Sequence, residues 1–404
     1  MIDSDVIVIG GGLAGLMAAC VAVRRKEKVT VLTFGSGSLP LASGAIDFYN
    51  SKFPETAIKN LPVGHPYYRI GLPAIKDSIN FLKDVTARAN LPYTGDLSFQ
   101  IPIVTAVGTL KYSTLIPESM DASLLGDVKK IFVVGIRGIK DFYPRMLVDN
   151  LKKYFSNADF NPVTFDLNLL GGRDINCMDA AQMIADNDEL FINELKGLNA
   201  TPEDAIIIPP VLGTTDNSTR VTVKTQLHAA LIETTCLPPA PTGVRLQRAL
   251  TKYLEDNGAR IYKNANVFGG VVEENRITGV VTKNSVREKF YPARKFILAT
   301  GGFYGGGIVM REFDKPHEPI FDLPVKYIVG EENWSNPKLF ADKPQGFAAT
   351  GIFVDSKMRP IDSDGQPLFE NLHVIGANIG GKDFIHEKSL GGIAISSAYK
   401  AATI

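Results

Sequence analysis

Asp5-Val6-Ile7-Val8-Ile9-Gly10-Gly11-Gly12-Leu13-Ala14-Gly15 is the stretch whose reading decides the fold. The apolar run ending at Ile9 reads as a buried parallel strand, and Leu16 to Val23 read as an apolar helix. Between them stands G-x-G-x-x-G in the strand-to-helix context that gives the pattern meaning. Gly10 permits the tight turn, Gly12 lets a phosphate approach the backbone, and Gly15 lets the helix pack closely on the strand. The helix N-terminus then presents free N–H groups and a positive dipole end to the phosphate. Lys28 to Leu32 supply the next strand.

An enzyme that holds an adenine dinucleotide on this loop places an acidic residue about 20 residues further on, against the ribose hydroxyls. Thr33 occupies that place, and Phe34-Gly35-Ser36-Gly37-Ser38 brings no carboxylate either. The stretch therefore implies a bound phosphate more firmly than a bound adenosine.

The 404 residues predict more than one lobe, and 45% apolar with 21% charged residues describe an ordinary globular chain. The 43 basic and 43 acidic residues cancel, which argues against a nucleic-acid surface. Cys20, Cys177 and Cys236 lie far apart and form no metal-binding pair, so no metal site is expected and a reducing, cytoplasmic setting is. Asp3 and Asp5 do not suit a signal peptide, and no run is long and apolar enough for a transmembrane segment.

Further along, Leu41 to Asp47 reads as a loop beside a flat cofactor ring, with Ser43 and Gly44 in it. Ala74 to Ala89 carries a helical apolar face, and strands are expected over 101–105 and 108–112 around a turn at Ala106-Val107. Lys129 to Val134 leads into a helix over 142–155, followed by strands over 160–167 and 205–208 and a helix near 178–195. The Thr214 to Thr219 cluster reads as a boundary loop, and Pro238-Pro239-Ala240-Pro241 as a rigid hinge. A helix over 244–257 and a small meander over 267–291, with turns at Glu274-Asn275 and near Asn284, precede Lys295 to Gly302. The division expected is a discontinuous Rossmann-like domain, 1–48 with 240–404, and an inserted α/β lobe over 49–239.

Three motifs together resemble the flavoproteins of the two-dinucleotide-binding type. They are the opening loop, the strand ending Ala299-Thr300-Gly301, and Leu372-His373-Val374-Ile375-Gly376 followed by a helix from Gly391-Gly392-Ile393-Ala394. The resemblance implies an FAD/NAD(P)-binding α/β fold, a parallel sheet plus a small β-meander, with the last helix aimed at the flavin. A narrower resemblance covers nearly the whole chain and is to the B-subunit family of anaerobic glycerol-3-phosphate dehydrogenases. It is carried by Ser43 to Asp47, Gly108-Thr109-Leu110, Val133 to Gly138 with Asp141-Phe142, Pro238-Pro239 with Gly243 to Leu246, Gly301 to Gly307, and Glu370 through Gly381.

This resemblance implies an electron-transfer subunit holding FMN, with FAD the alternative. It would work beside an FAD-containing catalytic subunit and an iron–sulfur subunit that passes electrons to quinone. The setting implied is the cytoplasmic face of the membrane, reached through a partner. Gly10, Gly12, Leu13, Ala14, Gly15 and Thr33 form the first half of the expected cofactor shell. Ser43, Gly44, Thr300, Gly301, Gly376, Gly391 and Gly392 form the second. Arg245, Arg311, Arg359, His317 and His386 are the polar candidates for chemistry, with His386 and Arg245 foremost. A salt bridge to the inserted lobe is the competing role for Arg245, and His65 and His228 fit core or surface roles. Trp334 is placed in a surface loop open to a partner. Two rival functions stay open: a stand-alone flavin dehydrogenase of the fumarate-reductase kind, and a cofactor-free structural subunit.

Overall fold

The computed structural model describes residues 4–283, 287–310 and 315–404. β1 (Ser4–Ile9), α1 (Leu13–Arg24) and β2 (Val29–Leu32) form as the opening stretch dictates. β2 is buried throughout and α1 is buried from Ala14 to Val23, because helices and strands cover them on both sides. α2 (Leu72–Arg88) follows with its apolar stripe, Ile75, Ile79, Leu82 and Val85, turned to the core.

The second lobe is built on β3 (Lys130–Ile136), β4 (Asp159–Phe165), β5 (Asp204–Ile208) and β6 (Ala230–Glu233). These four strands are parallel in the order β6-β5-β3-β4. The chain returns to the first domain in α3 (Pro241–Asp256). Then come β7 (Arg260–Tyr262), β8 (Val267–Glu273), β9 (Arg276–Lys283), β10 (Glu288–Leu298), β11 (Leu372–Val374) and α4 (Leu390–Thr403). The main sheet runs β7-β2-β1-β10-β9-β8, with β11 also on β10. β10 is one strand with two duties. Its first half pairs antiparallel with β9, and its second half runs parallel to β1 and β11.

Three expectations need correction. The inserted lobe does not begin at residue 49: Ile58, Tyr67, Ile70, Ile75, Ile79 and Leu82 belong to the first core, whereas the second core starts at Val104. The reason is α4, which offers α2 a partner: Ser78 and Ser396 share a hydrogen bond of 3.1 Å, and the rings of Phe81 and Tyr399 meet edge-on at 5.9 Å. The helix expected near 178–195 is two, Cys177–Asp186 and Glu189–Gly197, parted where Asn187 turns extended. The helix expected over 142–155 is shorter, Pro144–Leu151. The turn expected near Asn284 lies outside the described residues.

The two lobes are joined by a buried ion pair. Arg245 on α3 meets Glu233 at the end of β6 through two bonds of 2.7 Å, and its Nε donates to Gly213 O at 2.9 Å. Neither side chain reaches solvent. Burial alone would push the Glu233 carboxyl up, but the guanidinium more than reverses this and holds it below the usual range. A second junction forms where Asp47 accepts from Ser113 and pairs with Lys111 at 2.7 Å.

Glu233→Ala strands the Arg245 charge in the core and should lower unfolding free energy by about 3–5 kcal/mol, read from urea denaturation. A loss below about 1 kcal/mol would refute the pin. His373 in β11 supplies a pH test. Burial and then the Lys295 charge lower its pKa to about 4, and its Nδ1–H donates to Lys357 O at 2.7 Å. The folded chain thus prefers neutral His373, so this stabilisation is complete above the unfolded value and is lost as pH falls from about 6.5 towards 4. Relative to His373→Gln, the native chain should lose about 3 kcal/mol across that window.

Candidate functional site

The opening loop is fixed by close backbone approaches. A Cβ built on Gly10 (φ +115°) would stand 2.2 Å from Ala299 O, and one on Gly15 would stand 1.9 Å from Gly10 O. Both glycines are therefore steric requirements of the fold. Gly12 differs: a Cβ there meets nothing within 4 Å, so its Cα faces open space. It is also the N-cap of α1, with no side chain capping the helix. The first intrahelical bond runs from Leu16 N–H to Gly12 O at 2.9 Å, which leaves the N–H groups of Leu13, Ala14 and Gly15 without helical partners. Open space beside free N–H groups at a helix start fits a phosphate.

The later motifs close on this loop. The amide oxygen of Asn378 accepts from Gly301 N–H at 2.7 Å, and its nitrogen lies 3.0 Å from Thr300 Oγ1. Gly376 (φ +68°) packs so tightly on α1 that an added Cβ would stand 2.8 Å from that of Ala14, and its N–H donates to Ser397 Oγ at 2.9 Å. Thr33 is buried against Gly11 and donates its hydroxyl to Gly35 O at 2.5 Å. Beyond it, the Ser36–Ser38 loop folds back so that a Cβ on Gly37 would lie 2.7 Å from Gly12 Cα.

The remaining predicted shell residues gather around the 43–48 segment. Tyr93 donates to Gly44 O at 2.8 Å, and Ser43 is half-buried. Gly391 packs on Ile46, and Gly392 on Tyr67 and Phe48. Gly392 is not free to meet a ring, because its N–H is engaged by Asp47 O at 2.8 Å. The N–H groups of Leu390 and Gly391 are the ones the last helix has left to offer.

The candidates for chemistry resolve differently. Arg245 is the buried lobe pin and cannot touch a substrate. His386 has both ring nitrogens facing protein acceptors, Asp383 Oδ2 at 2.7 Å and Ala341 O at 3.0 Å, so the protein itself occupies both. Arg359 pairs with Asp355 at 2.7 Å in a turn. His65 is buried, takes Tyr67 N–H on Nδ1 and meets Glu387 through Nε2 at 3.1 Å, while His228 is exposed. His317 is half-buried in a β-bridge with Val309. Arg311 lies outside the described residues. Trp334 is half-buried, with its indole N–H on Ile328 O at 2.7 Å.

Sequence reasoning missed Asn378, Gly37 and Lys382. Lys382 is buried, and its ammonium donates to Ile379 O and, at 3.3 Å, to Ala377 O, which braces the turn after Gly376. Burial lowers its pKa to about 8. A lysine set in an otherwise charged loop gave no sign of turning inward.

The model of the FAD binding domain family matches residues 5–394. The probable anaerobic glycerol-3-phosphate dehydrogenase B subunit of Halobacterium salinarum is 31% identical over 100% of this chain and 97% of its own. The corresponding B subunit of Vibrio cholerae is 27% identical over 99% and 96%. Among solved structures, 3-ketosteroid Δ1-dehydrogenase from Sterolibacterium denitrificans aligns with 99% of this chain and 98% of its own, at 13% identity and a TM-score of 0.46. The chain belongs to the FAD-binding-domain oxidoreductases, flavoproteins, and within them to the B-subunit family of anaerobic glycerol-3-phosphate dehydrogenase.

Proposed function

We propose that the chain holds FMN across the loop, the Ala299-Thr300-Gly301 strand end and the Gly376 turn. In this reading it serves as the electron-relay subunit of a complex oxidising glycerol 3-phosphate to dihydroxyacetone phosphate. The carrying observation is the junction itself, where Gly10, Ala14, Ala299 and Gly376 interlock around a Gly12 whose Cα faces open space. A flavin held there supplies two-electron oxidation and single-electron release. Gly12 and the N–H groups of Leu13 to Gly15 bind the phosphate. Asn378 orients the Thr300-Gly301 backbone, and the N–H groups of Leu390 and Gly391 favour negative charge at the ring. Thr33 offers no carboxylate to an adenosine ribose, and its hydroxyl is already donated to Gly35 O. Both features favour FMN over FAD.

The relay role is favoured over a stand-alone dehydrogenase by the state of the polar candidates. Among the described residues, Arg245 and Arg359 are held by carboxylates and His386 by two acceptors, so they supply neither a phosphate clamp nor a base. The proposed partners are an FAD-containing catalytic subunit and an iron–sulfur subunit leading to quinone. Among the described residues no helix is long and apolar enough to cross a membrane, and attachment at its cytoplasmic face would come through a partner.

Gly12→Val should melt only slightly below the native chain stripped of its flavin, because its Cβ meets no neighbour and the cost is that of a poorer N-cap, yet it should retain less than about a tenth of the flavin. Native flavin content in that variant would refute the placement. Glycerol 3-phosphate should not bleach the flavin absorbance of the isolated chain, and rapid bleaching would favour the stand-alone dehydrogenase.

A further inference from the structure

The cysteines stand far apart in sequence, and the fold brings two of them together. Cys177 opens the helix Cys177–Asp186 and is buried in the core of the second lobe. Cys236 packs half-buried against the same core, in the segment that leads from β6 to α3. Both are free thiols, and they share a hydrogen bond, so the two sulfurs face each other. Their backbones are fixed on either side. Thr235 N–H donates to Val104 O at 3.0 Å and Leu237 N–H to Asp141 Oδ2 at 3.3 Å, while Asn176 caps the helix by accepting Asp179 N–H at 2.9 Å. Cys20 shows the ordinary alternative: it is buried in α1, and its thiol is spent on Leu250 O at 3.6 Å. A free cysteine in that state acts as a small apolar side chain.

The two thiols differ in reach. Cys236 is partly open to solvent, whereas Cys177 is 1% exposed. The hydrogen bond to Cys236, then burial, then the nearby Asp141 and Glu233 carboxylates hold the Cys177 thiol protonated. Cys236 is therefore the sulfur a small oxidant meets, and Cys177 the one behind it. We infer that Cys177 and Cys236 form a reversible thiol–disulfide site, open to hydroperoxides at Cys236 and closed by Cys177. With hydrogen peroxide, the Cys236 sulfur takes one oxygen, the O–O bond breaks, and hydroxide leaves with the thiol proton as water. The Cys177 sulfur then attacks the sulfur of the Cys236 sulfenic acid. The S–S bond forms, the S–O bond breaks, and hydroxide leaves with the Cys177 proton as a second water. The thiol pair loses two electrons and the peroxide gains them; a dithiol reductant reverses the couple by exchange. In reducing surroundings such a pair rests as two thiols and forms its bond only transiently. The bond closes the chain over 177–236 and ends just past Glu233, so it ties the strand that supplies the lobe pin to the helix Cys177–Asp186. The inference is independent of the flavin assignment.

The test treats the full folded chain with hydrogen peroxide, blocks the remaining thiols, and maps its peptides by mass without reduction. One disulfide should appear, Cys177 to Cys236 within a chain, and dithiothreitol should remove it, while Cys20 should stay unmodified until the chain is unfolded. The oxidised chain should melt about 3 °C or more above the reduced one. Cys177→Ala should halt the reaction at the Cys236 sulfenic acid, so that dimedone labels Cys236 roughly tenfold more than in the native chain. Cys236→Ser should slow oxidation of Cys177 roughly tenfold or more, because the sulfur that peroxide reaches is gone. Neither variant should gain stability on treatment with peroxide. Absence of the bond would overturn the site, as would disulfides between chains or reaction of Cys20 at the same rate. Equal dimedone labelling of Cys236 in the native chain and in Cys177→Ala would overturn the pairing. Cys236 is half-buried, so Cys236→Ser decides the matter if Cys177→Ala fails to fold.

Discussion

The site depends on how closely two backbones approach: Gly10 and Ala299 sit where no side chain could fit between them. Ala299 N–H donates to Ile9 O and Gly10 N–H to Leu32 O, both at 2.8 Å, so the sheet continues its pairing up to the point where the chain turns away. That junction aims the N-terminus of α1 and leaves Gly12 facing open space. Asn378 and Gly376 then close the arrangement from the C-terminal part of the chain. Residues from both ends of the sequence thus meet in a few ångströms of packed backbone, with little room for adjustment.

The second lobe rests on a different kind of interaction. Arg245 and Glu233 satisfy each other in complete burial, and the neighbouring Gly213 and Leu212 backbone groups complete the set. Such a pair stabilises weakly against an apolar alternative but punishes any arrangement that separates it. This suits a lobe whose placement relative to the first domain must be unique.

The sequence made the elements legible wherever a local pattern carries the physics. The strand-loop-helix opening, the hairpin of Ile101–Val104 with Leu110–Ser113, and the meander β8-β9-β10 all follow from alternation, apolar runs and turn residues. What depends on tertiary partners did not show. The helices over 54–88 carry an apolar face but no mark of which core it joins, and the answer came from α4, some three hundred residues away. Thr33 leaves the usual acidic place without a carboxylate, yet nothing local indicated that its hydroxyl turns to Gly35. Gly391 and Gly392 look alike in sequence, but only the second has its N–H engaged by Asp47.

By the reading proposed, this junction holds a flavin with one phosphate and no adenosine. Denaturing the purified chain and identifying the released cofactor by chromatography and mass tests that claim most directly. The prediction is FMN, about one per chain. FAD would contradict the reading of Thr33, and a folded chain that takes up no flavin on reconstitution would contradict the placement of any cofactor at this junction.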